Sequence, residues 1–579
     1  MTDRLAWAEP VPLPDHLLRW LRTHGLSGAA SAGVSAAALD RTAEPPDSPG
    51  ATGPGSGVPS GMPGGVSGDA SGDVSGNARG RTAAPPDSPA VVGALGNAAA
   101  AALAGTGAAV HGDGDTRRAH AGGMKYLDLV RRRRGEDVPL PDAVVEPADP
   151  DQVGAVLRVC AAHDIAVVPF GGGTSVVGGV DALRGGHAAV VALDLRRLDR
   201  LVSVDRESLT ATLQAGLTGP AAEAALAGHG LTLGHFPQSF ERATIGGYAA
   251  TRSAGQASNG YGAFAEMVLG VRLATPVGDW TLGRAPHSAA GPDLRQLVLG
   301  SEGTFGVITE VSVRVRPVPA TKRYEGWAVP SFAAGVAALR GLAQDDLLPD
   351  VARLSDPAET RVGLVQAGGR GRALAGYLGA RRRRCLLVLG WEGTRTRVAS
   401  RRRAAVPLLR RAGAIRLGGA VGEAWRHGRY AGPRQRDALL DAGVLAETVE
   451  TATSWAGLLA LHDAVRTALH TALGGRAVVM CHVSHAYPSG ASLYFTALAP
   501  QDPADPVGQW QHAKRASGDA IAGQRATITH HHAVGTDHAP WLAAEIGDLG
   551  VEVLRAVKAR LDPGGILNPG KLIPGRGNS

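Results

Sequence analysis

Cysteine is scarce: Cys160, Cys385 and Cys481 are the only three in 579 residues, and they lie far apart. An odd, dispersed set argues against a disulfide framework or a zinc site and points to a reducing compartment. Aromatic residues make up 4% of the chain, and the basic runs Arg131–Arg134 and Arg381–Arg384 carry no interleaved rings. No nucleic-acid platform is therefore expected. The net charge of +7 is read as solvated faces, with an anionic membrane surface as the alternative. Long apolar runs are missing too. The uncharged stretch Val91–Val110 is mostly alanine and glycine with Asn97 inside it, so it reads as linker rather than membrane span. The opening MTDRLAWAEPVPLP is broken by proline and reads as no charged-then-apolar leader; a cytoplasmic setting is expected, with peripheral membrane contact left open.

Glycine, in contrast, is abundant, at 81 residues. In Val167–Val180, VVPFGGGTSVVGGV, an apolar strand runs into a glycine-dense loop. Glycine visits positive φ without a Cβ clash, so the loop can turn several N–H groups toward one point and hold a phosphate or pyrophosphate. Predicted strands flank it at Ile165–Phe170 and Ala189–Leu195. No Lys-Ser/Thr closes the loop, and no dinucleotide-fold helix follows it directly. At this length the chain should form two or more domains. Asp149–His163 reads as an amphipathic helix with Val153, Val156, Leu157 and Cys160 on one face. Further strands near Leu209–Gln214 and Val268–Leu273 and a helix at Pro220–Gly228 make an α+β pattern. PDHLLRWLRTHGL near the N-terminus predicts a short helix capped by Asp15. RTAEPPDSPG at Arg41–Gly50 and RTAAPPDSPA at Arg81–Ala90 are a duplication inside a Gly/Ala/Ser/Pro-rich region that reads as disordered.

PFGGGTSVVGG, then PQSFERATIGGYAATRSAGQASNGY at Pro237–Tyr261, then GSEGTFGVITE at Gly300–Glu310, resembles the vanillyl-alcohol-oxidase/PCMH superfamily of FAD-linked oxidases. The resemblance implies non-covalent FAD, since no His or Cys stands in the glycine loop. Pro169, Phe170, Gly171, Gly172, Gly173, Thr174 and Ser175 would wrap its pyrophosphate. Pro237, Gln238, Ser239, Thr244, Ile245, Gly246, Gly247, Thr251, Arg252, Ser253 and Ala254 would run beside the flavin and ribityl chain, and Glu302, Gly303, Thr304, Gly306, Val307 and Ile308 would meet adenine and ribose. The fold expected is α+β: a two-subdomain PCMH-type FAD-binding domain (123–319), an α/β substrate-capping domain (320–525) and a C-terminal segment (526–579) returning to the flavin. An N-terminal helical segment (1–26) and a disordered insertion (27–122) would precede them.

The triple His530-His531-His532 before Ala533-Val534-Gly535, with Trp541 and LDPGGILNPGKL (Leu561–Leu572), is similar to the alkyldihydroxyacetonephosphate synthase branch and its bacterial relatives. That branch exchanges the acyl chain of acyl-dihydroxyacetone phosphate for a fatty alcohol, through a flavin N5 adduct and without net redox change. By this resemblance Tyr494 is the catalytic acid/base, with Tyr487 a weaker, substrate-side candidate. Arg353 sits beside the flavin, Arg436 binds substrate phosphate, and His530, His531 and His532 are essential. A metal is not expected. On a strand, consecutive histidines point to opposite faces, and His482 and His485 would likewise diverge. AVGTDHAPW after the histidines departs from the eukaryotic pattern of a glycine and a basic cluster. The competing enzyme reading is an FAD-dependent dehydrogenase or oxidase of a D-2-hydroxy acid or similar small substrate, with Arg353 or Arg436 clamping a carboxylate. A flavin-holding binding module is a third reading. The expected partner is a small-molecule or lipid-like phosphate, and a homodimer is left open.

Overall fold

The computed structural model describes residues 12–27, 95–136, 138–382 and 384–574. The duplicated proline segment lies outside them. The first layer is a four-stranded sheet ordered Ala109–His111, Ala143–Glu146, Ala189–Asp194, Ile165–Phe170. Its last three strands are parallel and covered on both faces, which is why AVVALD and IAVVPF are almost uninterruptedly apolar. Helix Pro150–Ala162 starts where the Asp149 carboxylate accepts the Gln152 N–H, and it buries Val153, Val156, Leu157 and Cys160 as its periodicity predicts.

One expectation fails here. Residues 95–122, assigned above to linker and disordered insertion, are folded: helix Asn97–Ala104, strand Ala109–His111 and helix Gly114–Ala119 belong to this layer. Alanine buries little area by itself. The short helix nevertheless lies against Pro150–Ala162 because small side chains allow close approach, and Leu103 is fully buried there.

The second layer is an antiparallel sheet ordered Leu201–Asp205, Thr210–Gln214, Val307–Arg314, Val268–Thr275, Gly278–Leu282, with helices Gly219–Ala227 and Ile245–Ala250 against it. The third is a seven-stranded sheet ordered Ile415–Gly418, Thr321–Val329, Cys385–Gly393, Val351–Ser355, Val478–Val483, Gly490–Pro500, Val444–Ser454. Helices Phe332–Gln344, Arg395–Arg411, Leu458–Leu473 and Pro506–Gly523 bury one side of it. The N-terminal helix Asp15–Thr23 docks Leu17 and Leu21, with Leu26 just beyond, on Val362, Val444 and Met480 of this third layer. Pro14, not Asp15, occupies its N-cap, and Asp15 is the first helical residue. After helix Leu542–Leu561 the chain returns to the first sheet, where Leu567 bridges Val167. All three cysteines are buried and unbridged.

Candidate active site

The glycine loop, the 237–254 block and the 300–308 block meet in space. An added Cβ at Gly172 would lie 2.1 Å from the Arg242 carbonyl, and at Gly303 2.7 Å from Pro169 Cγ. Gly171 is similarly crowded by Thr244. These glycines are thus required by the close packing of one block against the next, a different reason from the ligand clearance the loop suggests. Gly173 has φ +63°. Among the described residues the N–H groups of Gly172, Gly173, Thr174 and Ser175 reach no protein acceptor. Gln238 Oε1, Ser301 Oγ and Thr304 Oγ1 are buried without partners. A run of unpaired amides turned by Gly173, beside orphaned polar atoms, fits a diphosphate and its nucleoside.

Other members of these blocks serve the protein itself. Thr244 caps helix Ile245–Ala250 through the Gly247 N–H. The Thr251 hydroxyl donates to the Gly247 carbonyl, and exposed Arg252 holds Gln296 and the Leu299 carbonyl. Glu302 accepts the N–H groups of Val534 and Gly535, while Asn568 donates to the Gly179 and Glu302 carbonyls. Burial pushes the Glu302 carboxyl up to about 7. These bonds pin the C-terminal segment to the nucleotide-side loops.

Tyr494 lies on strand Gly490–Pro500, paired with Glu450 on one side and His482 on the other, and His482 pairs in turn with Ser355. Directly paired residues share a sheet face, so the register sets Glu450, Tyr494, His482 and Ser355 in one row. Arg353, two residues before Ser355, shares that face. Its guanidinium lies 3.0 Å from His482 Nε2 and also grips Glu359. A guanidinium only donates, so His482 Nε2 accepts and its Nδ1–H donates to Glu359 at 3.1 Å. The oriented imidazole stacks on the Tyr494 ring at 4.9 Å. Arg353 therefore reaches Tyr494 through His482. Burial raises the Tyr494 phenol above its ordinary value, opposed by a hydrogen bond with Thr448 and the nearby Arg436 charge. Arg436, on helix Gly432–Asp441, donates to the Met124 carbonyl at 2.6 Å, and its Nε is buried with no partner.

His530, His531 and His532 occupy a bend, not the strand assumed in the sequence reading, so the opposite-face argument does not apply to them. Glu450 forces the bend. Its fully buried carboxylate accepts the backbone N–H groups of all three histidines at 2.8–2.9 Å and the Thr529 hydroxyl at 2.6 Å. Burial would raise Glu450, but His531, through its charge and its hydrogen bond, outweighs it and holds the carboxyl well below its usual range. The imidazoles of His531 and His532 then lie 6.1 and 5.5 Å from the Tyr494 ring. His485 lies beyond the end of its strand rather than on it, and stacks on His530 at 4.9 Å. His485, His530 and His531 bring one nitrogen each within 4.8 Å of one another. Desolvation pushes His485 well down and His530 down to about 4, so these rings are neutral at pH 7. Tyr487 Oη is 2.6 Å from His530 Nε2.

Two groups here escaped the sequence reading. His235 is wholly buried between Tyr248 and Phe264 with Nδ1 unpaired, and burial, helped by nearby His531, lowers its basicity. Its only signal was its place just before PQSF. Glu450 was legible only as the second Glu-Thr pair of the strand VLAETVETATS, with Glu447 the first.

A nucleotide-cradling pair of layers under a sheet that carries a phenol, an arginine and clustered imidazoles defines an FAD-linked oxidase architecture. The FAD binding domain model matches residues 141–282, and the model for the C-terminal domain of FAD linked oxidases matches residues 318–572. p-Cresol methylhydroxylase with substrate bound shares the fold, with TM-score 0.60 at 16% identity over 80% of this chain and 93% of that one. Alkyldihydroxyacetonephosphate synthase of Dictyostelium discoideum is 34% identical over 471 residues, 79% of this chain and 77% of the relative. A solved alkyldihydroxyacetonephosphate synthase structure superposes with TM-score 0.68 at 31% identity, covering 79% of this chain and 82% of that one. The chain belongs to the alkyldihydroxyacetonephosphate synthase family of FAD-dependent enzymes.

Proposed function

We propose that this protein makes an ether lipid precursor, replacing the acyl chain of an acyl-dihydroxyacetone phosphate with a fatty alcohol. The relatives are named for producing alkyldihydroxyacetone phosphate. The observation that carries the reading is the placement of Tyr494, a phenol stacked on an oriented imidazole and flanked by two more, with Arg436 and its unpaired Nε close by.

FAD, when bound, supplies a ring that exchanges electron density with the substrate carbon while one oxygen substituent replaces another. The amides of Gly172–Ser175 would hold its diphosphate, and Gln238, Ser301 and Thr304 would bond its polar edges. In this reading Tyr494 Oη takes the proton from the carbon bearing the ester oxygen and later returns it. Arg436, charged and desolvated, anchors the phosphate. Arg353 keeps His482 flat against Tyr494, and Glu450 fixes the three imidazoles around the same ring. We infer peripheral membrane contact from the lipid-like substrate, with a cytoplasmic setting and a homodimer as the arrangement to test. Among the described residues no helix is long and apolar enough to cross a membrane.

The deciding experiment incubates FAD-loaded protein with an acyl-dihydroxyacetone phosphate and a labelled fatty alcohol in the absence of any electron acceptor. Equal amounts of released fatty acid and labelled ether are expected. No release, together with bleaching of the flavin by a D-2-hydroxy acid, would overturn the assignment.

A further inference from the structure

Replacing an ester by an ether breaks the bond from the substrate carbon to the acyl oxygen and forms one to the alcohol oxygen. The acyl group leaves as carboxylate, the alcohol loses its O–H proton, and no electrons are gained or lost overall. Each turnover therefore puts one proton into a site walled by the cap and the flavin layers. On the proposed function, that proton needs a way out.

We propose that His531, His530 and Tyr487 form a proton exit wire from the Tyr494 site to the surface. His531 is the inner end, its ring stacked toward that of Tyr494 with centroids 6.1 Å apart at 24°. His531 Nδ1 lies 2.9 Å from His530 Nδ1, and His530 Nε2 lies 2.6 Å from Tyr487 Oη. Tyr487 is the outer end. It lines a cleft of about 290 Å³ with Thr453, Ser454, Ser489 and Gly490, and exposed Ser454 and Ser489 bring that cleft to the surface.

A contact between two Nδ1 atoms at this distance requires that one carries hydrogen and the other a lone pair. With protons on His531 Nδ1, His530 Nε2 and Tyr487 Oη, a proton taken up at His531 Nε2 drives one hop at each link. The His531 Nδ1 proton passes to His530 Nδ1, the His530 Nε2 proton passes to Tyr487 Oη, and the phenolic proton leaves to water in the cleft. Each group ends neutral: both imidazoles carry their proton on the opposite nitrogen, and the Tyr487 hydroxyl holds the proton received from His530. Glu450 Oε2, 3.3 Å from His531 Nδ1, stabilises the imidazolium during the first hop.

Tyr487→Phe keeps the ring and removes the oxygen. In enzyme that retains its flavin absorbance we expect kcat to fall by about 100-fold, the lower end for loss of a positioned proton carrier. KM for the acyl substrate should stay near the wild-type value, and added imidazole should restore kcat saturably. Wild-type kcat should not respond to imidazole. His530→Gln should give the same buffer-rescued defect and covers the case in which the first variant misfolds. Wild-type kcat in both variants at low buffer overturns the wire, as does a raised KM without rescue, which would make Tyr487 a substrate contact. One equivalent of metal held by His485, His530 and His531, whose removal by a chelator abolishes turnover, also overturns it. A wild-type enzyme that releases no fatty acid defeats the proposed function instead, and is seen before either variant is made.

Discussion

On the proposed function, removing the Tyr494 hydroxyl takes away the proton carrier from a face that contributes no main-chain amide to the proposed nucleotide cradle. Tyr494→Phe should therefore abolish measurable fatty-acid release, a loss of about 10²–10⁴-fold for general acid–base chemistry, while the visible flavin spectrum stays unchanged. Retention of activity would end Tyr494's assigned role. Glu450→Gln tests the bend. It replaces an acceptor of four donors with a group that presents N–H to N–H, and one unsatisfied buried polar group costs about 1–3 kcal/mol. A lowered Tm together with a fall in kcat is expected, whereas Glu450→Asp should recover part of both. Gly172→Ala distinguishes two reasons for one glycine. If only ligand clearance mattered, alanine would be tolerated. Because its Cβ would meet the Arg242 carbonyl at 2.1 Å, we expect poor soluble yield and little bound flavin even for this smallest substitution.

At the scale of elements, residues 95–122 make the sharpest test because their composition conceals their fold. His120 follows helix Gly114–Ala119 and contacts Asp194 at 3.0 Å, while Arg196 also grips Asp194. Burial would raise Asp194, but His120 and Arg196 outweigh it and lower its carboxyl to about 2. A depressed carboxylate contributes stability that is fully present above its unfolded value near 3.8, and that contribution is lost as pH falls through about 2. The shift corresponds to roughly 2 kcal/mol. Asp194→Asn should thus lower stability to urea at neutral pH by about that amount, and the difference from wild type should vanish near pH 2. An equal difference at both pH values would contradict the linkage. The same logic applies to Leu103, whose replacement by alanine should cost about 2–5 kcal/mol if its helix is packed core rather than linker.

Across the whole molecule, the cap and the flavin layers are joined by buried polar groups as well as apolar area. Glu392 of the cap accepts from Tyr261 of the flavin side at 2.8 Å and from Tyr324 at 2.6 Å, and burial with the neighbouring carboxylate raises both phenols. Tyr261→Phe leaves Glu392 short of a donor at the junction, so calorimetry should show a lower Tm, or a single transition splitting in two. An unchanged thermogram would mean that the apolar contacts suffice.

Much of this architecture was readable along the chain. Apolar strands around the glycine loop, the Asp149-capped helix and three separated glycine blocks are local patterns, fixed by φ preference and by burial period, and they point to an FAD-linked oxidase and its synthase branch without coordinates. The triple histidine was conspicuous, but its conformation was not. The local sequence suits a strand, but Glu450, some eighty residues away, gathers three successive N–H groups and bends it. His235, His485 and Tyr487 likewise acquire meaning only from neighbours distant in sequence. Residue type and spacing determine which segments bind, bend or bury. Which imidazole faces which phenol depends on strand register and on the pairing of buried charge, and those are settled only when the layers close.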